Sequence, residues 1–168
     1  MKLSRVERWI LSNQFHILEA LYSDNAGHYA EAREALESGY ELHYKWLSQH
    51  IYDGRDIMTP EESSEVIDIL SMFDSLKQVY WRLSDKTGIE QRRVEFCGFD
   101  GNHETKQMGY ARYFCTSEGG RFTDLDRGDD FNSHTPTLPR YRRMLSEWKK
   151  SADKNNLSKD DIIRIISL

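Results

Sequence analysis

The stretch Thr59-Pro60-Glu61-Glu62, followed by Val66, Ile69, Phe73, Leu76, Tyr80 and Leu83, constrains the fold more than any other feature of this sequence. A threonine hydroxyl can accept from the free N–H groups of a first helical turn, and a proline just inside that turn sacrifices no hydrogen bond. The apolar positions then alternate steps of three and four, the spacing of a coiled-coil-like seam. Charge follows the same direction. Glu61, Glu62, Glu65, Asp68 and Asp74 crowd the front half, while Lys77, Arg82 and Lys86 sit towards the back, which complements the helix dipole. One long helix ended by Gly88 is predicted, its seam facing a partner.

Five further helical segments are predicted around it. The first starts at Ser4, which has capping-box spacing to Glu7. Val6, Ile10, Ile17 and Leu21, widened by Trp9, Phe15 and Leu18, define a face expected to be buried. Asn13 falls in step with that stripe and is expected as a core amide satisfied by its neighbours. The second segment spans about 26–52 and breaks at Ser38-Gly39, with Gly39 as a left-handed cap. The fourth helix is expected from Asn102 to about Ser117, the fifth over 139–151 with Tyr141, Met144, Leu145 and Trp148 on one face. The sixth starts at Ser158, with Asp161 at capping-box distance. Between them, 89–101 admits a short extended segment, and 121–137 reads as a long loop, a kind of segment that often carries function. The fold class is therefore mostly α, a compact bundle of about six helices in a single domain over 1–168.

Four Trp, nine Tyr and seven Phe in 168 residues supply the bulky anchors that disordered chains lack. A net charge of −5 gives no general attraction for nucleic acid or anionic membrane. Cys97 and Cys115 form no disulfide framework, and charges at Arg5, Glu7, Arg8 and Glu19 spoil any secretory signal. No apolar run approaches the roughly 20 residues of a membrane span. A cytoplasmic protein without membrane attachment is expected.

Three blocks carry a family resemblance: Arg8-Trp9-Ile10-Leu11-Ser12-Asn13-Gln14; Arg92-Arg93-Val94-Glu95-Phe96-Cys97-Gly98-Phe99-Asp100 with Met108-Gly109-Tyr110-Ala111-Arg112-Tyr113 and Glu118-Gly119; and Phe131-Asn132-Ser133-His134-Thr135-Pro136 with Tyr141-Arg142-Arg143-Met144-Leu145. Together they resemble the YfbU-like family of uncharacterised bacterial proteins. The resemblance implies a mostly helical fold and brings no assigned activity, cofactor or catalytic residue.

Candidate sites compete with plainer roles. His43 and His50 lack the i, i+3 or i, i+4 spacing of a helical metal pair. Asp124-x-Asp126-x-Gly128 starts like a calcium loop, but Asp129 and Thr135 stand where glycine and glutamate are required. Cys115 could act as a nucleophile with His134 as base and Asp100 or Asp124 as orienter, yet its neighbours Tyr113 and Phe114 suit a packed thiol. Neither a metal nor a cofactor is expected. Asp100, Glu118, Asn132 and His134 are the candidate ligand-binding or recognition residues, within a polar and glycine-rich stretch over 97–136. Arg140, Arg143 and Lys150 are the candidate phosphate contacts on the basic helix 139–151.

Three functions follow, in order of preference. The first is a non-enzymatic interaction or regulatory protein that self-associates through helical surfaces, motivated by the 66–83 seam and by aromatic residues of the kind enriched at interfaces. The second is a small enzyme or ligand-binding domain centred on 97–136. The third is nucleic-acid binding through 139–151, for which no recognised motif speaks.

Overall fold

A computed structural model describes the chain except for Asp53, Arg55, Asp56, Glu118, Gly119 and Leu168. It is built of helices, without a β-strand among the described residues, and divides into two compact units, Met1–Gly54 and Arg55–Leu168. Eight α-helices are described where about six were expected, because the second segment and the 89–101 stretch each contribute a short one.

In the first unit, α1 (Arg5–Leu21) begins with the expected capping box between Ser4 and Glu7. A 3₁₀ turn at Ser23–Asn25 leads into α2 (Ala26–Ser38), which Gly39 ends at φ +74° in the left-handed conformation. A 3₁₀ turn at Glu41–His43 and the short α3 (Tyr44–Leu47) follow. The first two helices form an antiparallel hairpin, since Arg8 of α1 bonds the Leu36 carbonyl at 3.0 Å while Phe15 and Tyr22 both lie 6.3 Å from Tyr29. The seam between them is unusually polar. Ser12 donates to Glu37 at 2.8 Å, and Arg33 pairs with Glu19 at 3.1 Å.

The second unit is organised around α4 (Pro60–Arg82), whose start carries the predicted Thr59–Glu62 capping box. It ends at Arg82 rather than running to Gly88, because Leu83 turns to an extended conformation. The short α5 (Gln91–Val94) stands where an extended segment was admissible; among the described residues the ladder-like pairing there is an isolated parallel bridge from Phe99 to Asn132. Then come α6 (Thr105–Thr116), a 3₁₀ turn at Thr123–Leu125, α7 (Leu138–Lys149) and α8 (Lys159–Ile166) with its Ser158–Asp161 capping box. Asn102 does not cap α6; Glu104 occupies the N-cap position.

The α4 seam is core, not an outer contact surface. Val66, Ile69, Phe73 and Leu76 are fully buried and Tyr80 nearly so, packed with Phe96, Phe99, Phe131, Tyr141 and Ile162. Phe73 meets Tyr141 edge-on at 4.9 Å, and Phe99 meets it at 5.6 Å, the T-shaped geometry that aromatic quadrupoles favour. No described helix is long and apolar enough to cross a membrane.

Candidate functional site

The polar stretch expected to form a site is a tie between two loops. Phe99 donates its N–H to the Phe131 carbonyl at 2.9 Å, and the Phe99 carbonyl accepts from Ser133 at 3.0 Å. Asn132 Oδ1 accepts from the amides of Gly101 and His134, at 3.0 and 2.9 Å. Gly98 sits at φ +84° with the Phe131 carbonyl where a Cβ would stand, so only glycine fits. Asp130, Phe131 and His134 all adopt positive φ, at a cost of about 1–3 kcal/mol each that the surrounding packing and hydrogen bonds must offset.

Glu104 is the centre of this tie and was not singled out in the sequence. Its buried carboxylate accepts from the amides of Asp100 at 3.0 Å, Thr137 at 3.0 Å and Leu138 at 2.8 Å. Thr137 and Leu138 open α7, whose N-cap side chain makes no capping bond, so Glu104 caps that helix from another part of the chain. The hydroxyls of Thr137 and Tyr141 reach the Gly98 carbonyl at 2.9 and 3.1 Å. Burial pushes the Tyr141 phenol up to about 12, so it stays a neutral donor.

Of the recognition candidates, Asp100 and Asn132 are brought together through Gly101 and Asn102, and both are engaged in holding backbone. Asp100 is 2% exposed. Its carboxylate accepts from the Asn102 amide at 3.1 Å and lies 2.5 Å from His103 Nδ1; these contacts, the His103 one first, hold it below the usual carboxylate range. His134 is exposed on the surface, and Glu118 lies outside the described residues. Cys115 is buried in α6 with its thiol pushed up to about 11, chiefly by burial, and so is poorly suited to nucleophilic work. Asp126 closes a local turn by accepting from Gly128 at 2.8 Å. His43 and His50 line one cleft of the first unit, with Trp46 edge-on to His43 at 4.6 Å.

The basic helix resolves into separate roles. Arg142 makes a two-toothed pair with Glu65 at 2.7 and 2.8 Å, Lys149 pairs with Asp68 at 2.5 Å, and Lys150 with Glu147 at 2.5 Å. Arg143 is exposed, whereas Arg140 lies over the Tyr141 ring at 5.2 Å and lines a cleft with Arg92 and Arg93.

The largest departure from expectation lies on α1. Val6, Trp9, Ile10, Ile17 and Leu21 are 61, 67, 50, 58 and 69% exposed, and Asn13 among them is exposed too. The one buried residue of α1 is Ser12. The helix turns Arg8, Ser12 and Glu19 together with half-buried Leu11, Phe15 and Leu18 towards α2 and leaves the stripe from Val6 to Leu21 outward. Of the face expected to be buried only Phe15 and Leu18 turn inward, and Asn13 is not a core amide. Leu11, Phe15 and Leu18 on the inner side form a second apolar line beside that of Val6, Ile10, Ile17 and Leu21, and only one of the two can face α2.

Fold and surface together describe a mostly helical protein with a hydrogen-bonded core loop and an outward apolar helix. The family model of the YfbU domain matches residues 1–167, and the chain belongs to that family.

Proposed function

We propose that the protein is a non-enzymatic interaction or regulatory protein that self-associates through the outer face of α1. The observation that carries this reading is the symmetry of the exposed stripe. Val6 and Leu21 lie equally far from the midpoint between Asn13 and Gln14, as do Ile10 and Ile17. A two-fold interface must be self-complementary, and an antiparallel pairing of two such helices sets Val6 against Leu21 and Ile10 against Ile17 with the amides at the centre. Charge agrees. Exposed Lys2 and Arg5 at the start of the helix, with Glu7 beside them, come towards exposed Asp24 beyond its end in an antiparallel pair, while Arg8 and Glu19 are occupied by Leu36 and Arg33 of the same protomer. The central amides fix register, as a polar seam residue does in coiled coils. Free thiols at Cys97 and Cys115 suit a reducing cytoplasm.

Sedimentation equilibrium tests the reading. Wild type gives twice the protomer mass in the micromolar range, and Ile10→Glu with Ile17→Glu gives the protomer mass with helical content unchanged. In a Cys97→Ser background, Asn13→Cys forms a disulfide dimer on oxidation. Val6→Cys does so only when mixed with Leu21→Cys. A wild-type protein of protomer mass at all these concentrations overturns the proposal, and self-linking of Val6→Cys overturns the antiparallel arrangement.

A further inference from the structure

Arg92, Arg93, Cys97 and Arg140 line a cleft of about 400 Å³ between α5, α7 and the end of α8, floored by Met144 and Ile166. The arginines differ in how their charge is met. Arg92 is turned to Glu90 at 2.7 Å. Arg93 is held by the Ile166 carbonyl at 2.9 Å, a neutral acceptor that orients the guanidinium and leaves its charge. Arg140 rests on the Tyr141 ring, and its Nε is buried without a hydrogen-bond partner. Among the described residues no carboxylate lies within ion-pair distance of Arg93, Arg140 or the exposed Arg143, though Glu90 acts on Arg93 from further off, whereas Arg142 and Lys149 of α7 and Lys150 just after it are each paired.

Two fixed guanidinium groups with surplus charge beside a small apolar floor fit a particular ligand. We infer that this cleft binds a small phosphate monoester, its dianionic head on Arg93 and Arg140 and its organic part against Met144 and Ile166. Guanidinium forks match phosphate oxygens with paired, charge-assisted hydrogen bonds. An extended nucleic-acid backbone fits less well, because it needs a continuous run of free cations and the rest of α7 does not supply one. Cys97, half-buried at the rim, reports occupancy: Arg127 Nη1 stands 3.9 Å from its Sγ, and a bound phosphate would shield the thiol.

The test uses the full chain at constant ionic strength, titrated with inorganic phosphate, with phenyl phosphate and with chloride. Saturable shifts of the Arg93 and Arg140 Nε–Hε resonances are expected with both phosphates and absent with chloride, phenyl phosphate binding tighter. Arg93→Gln weakens binding roughly tenfold, the scale of one lost charged hydrogen bond. In unmutated protein, phenyl phosphate slows maleimide labelling of Cys97, while Cys115, buried, provides the unreactive reference. Non-saturating shifts shared by all arginines, or Cys97 labelling indifferent to phosphate, overturn the inference. Salt-sensitive retention on an RNA column without saturable binding of either phosphate also overturns it.

Discussion

α1 and α4 have nearly the same sequence pattern and opposite fates. Each opens with a capping box and carries apolar residues at steps of three and four. In α4 those residues are sealed by Phe96, Phe99, Tyr141 and Ile162, whereas in α1 they are uncovered and a serine is buried instead. Periodicity therefore says that a face requires cover, and it is silent about where the cover comes from. For α4 the aromatic loops and α7 provide it. The sequence-level expectation had assigned the outward seam to α4 and the buried face to α1, and the structure exchanges them.

The sharpest way to break this contrast is to truncate one residue on each helix. Phe73→Ala removes a fully buried ring contacting Phe96 and Tyr141, and should cost about 3–5 kcal/mol in denaturant unfolding. Ile10→Ala, at protein concentrations low enough to favour protomers, should change stability by less than about 0.5 kcal/mol, as exposed substitutions do. Equal losses would mean that the α1 stripe is covered within the protomer.

Legibility in the sequence divides along the same line. Three helix starts were readable because a capping box is local: Ser4, Thr59 and Ser158 each sit three residues before the carboxylate that closes the box, whereas Asn102, with no such partner, was misplaced as a cap. Gly39 was readable for the same reason, a positive φ next to a helix end. The polar loop was not, since its meaning depends on residues far apart in the chain. Glu104 bonds residues 33 and 34 positions away, and no local rule marks a glutamate as the cap of a helix it does not precede. Asp100 and Asn132 looked like recognition residues because they are polar among glycines. The structure engages Asp100 on the nearby Asn102 amide, and Asn132 on the nearby His134 amide and the distant Gly101 amide. Arg93 was visible only as part of a family block, and its neighbourhood with Arg140 arises from the fold.

A substitution at that loop sharpens the comparison next. Glu104→Gln keeps the shape, but with its one carbonyl oxygen left on the N–H groups of Thr137 and Leu138 its amide hydrogens meet the Asp100 N–H, and all three donors lose a charged acceptor. A loss of roughly 2 kcal/mol in denaturant unfolding is expected, with amide exchange faster at the start of α7. The counterpart in unit Met1–Gly54 is the Arg8 guanidinium on the Leu36 carbonyl in the last turn of α2, a bond in which Glu104 takes no part, so α1 and α2 should keep their exchange rates. A uniform rise across both units would show that Glu104 supports general stability and not the α7 cap in particular.

The smallest expected effect is on the acid limb of stability. Asp100, held below its ordinary value near 3.8 by His103 and the Asn102 amide, favours the folded state while it is ionised. That contribution is fully present above the unfolded-state value and is lost as pH falls through the lower, folded-state one. Urea midpoints of wild type should therefore decline as pH drops below about 4, and those of Asp100→Asn should begin lower and decline less steeply. The first unit supplies its own control, because Glu37 is likewise held low, by the Ser12 hydroxyl and then Arg33, on the polar seam of α1. Glu37→Gln should flatten the acid response of the α1–α2 hairpin without touching that of the Phe99–Asn132 tie. If Asp100→Asn leaves the acid slope unchanged, the Asp100 carboxylate contributes nothing in solution and the tie rests on Glu104, Asn132 and the Phe99 backbone bonds.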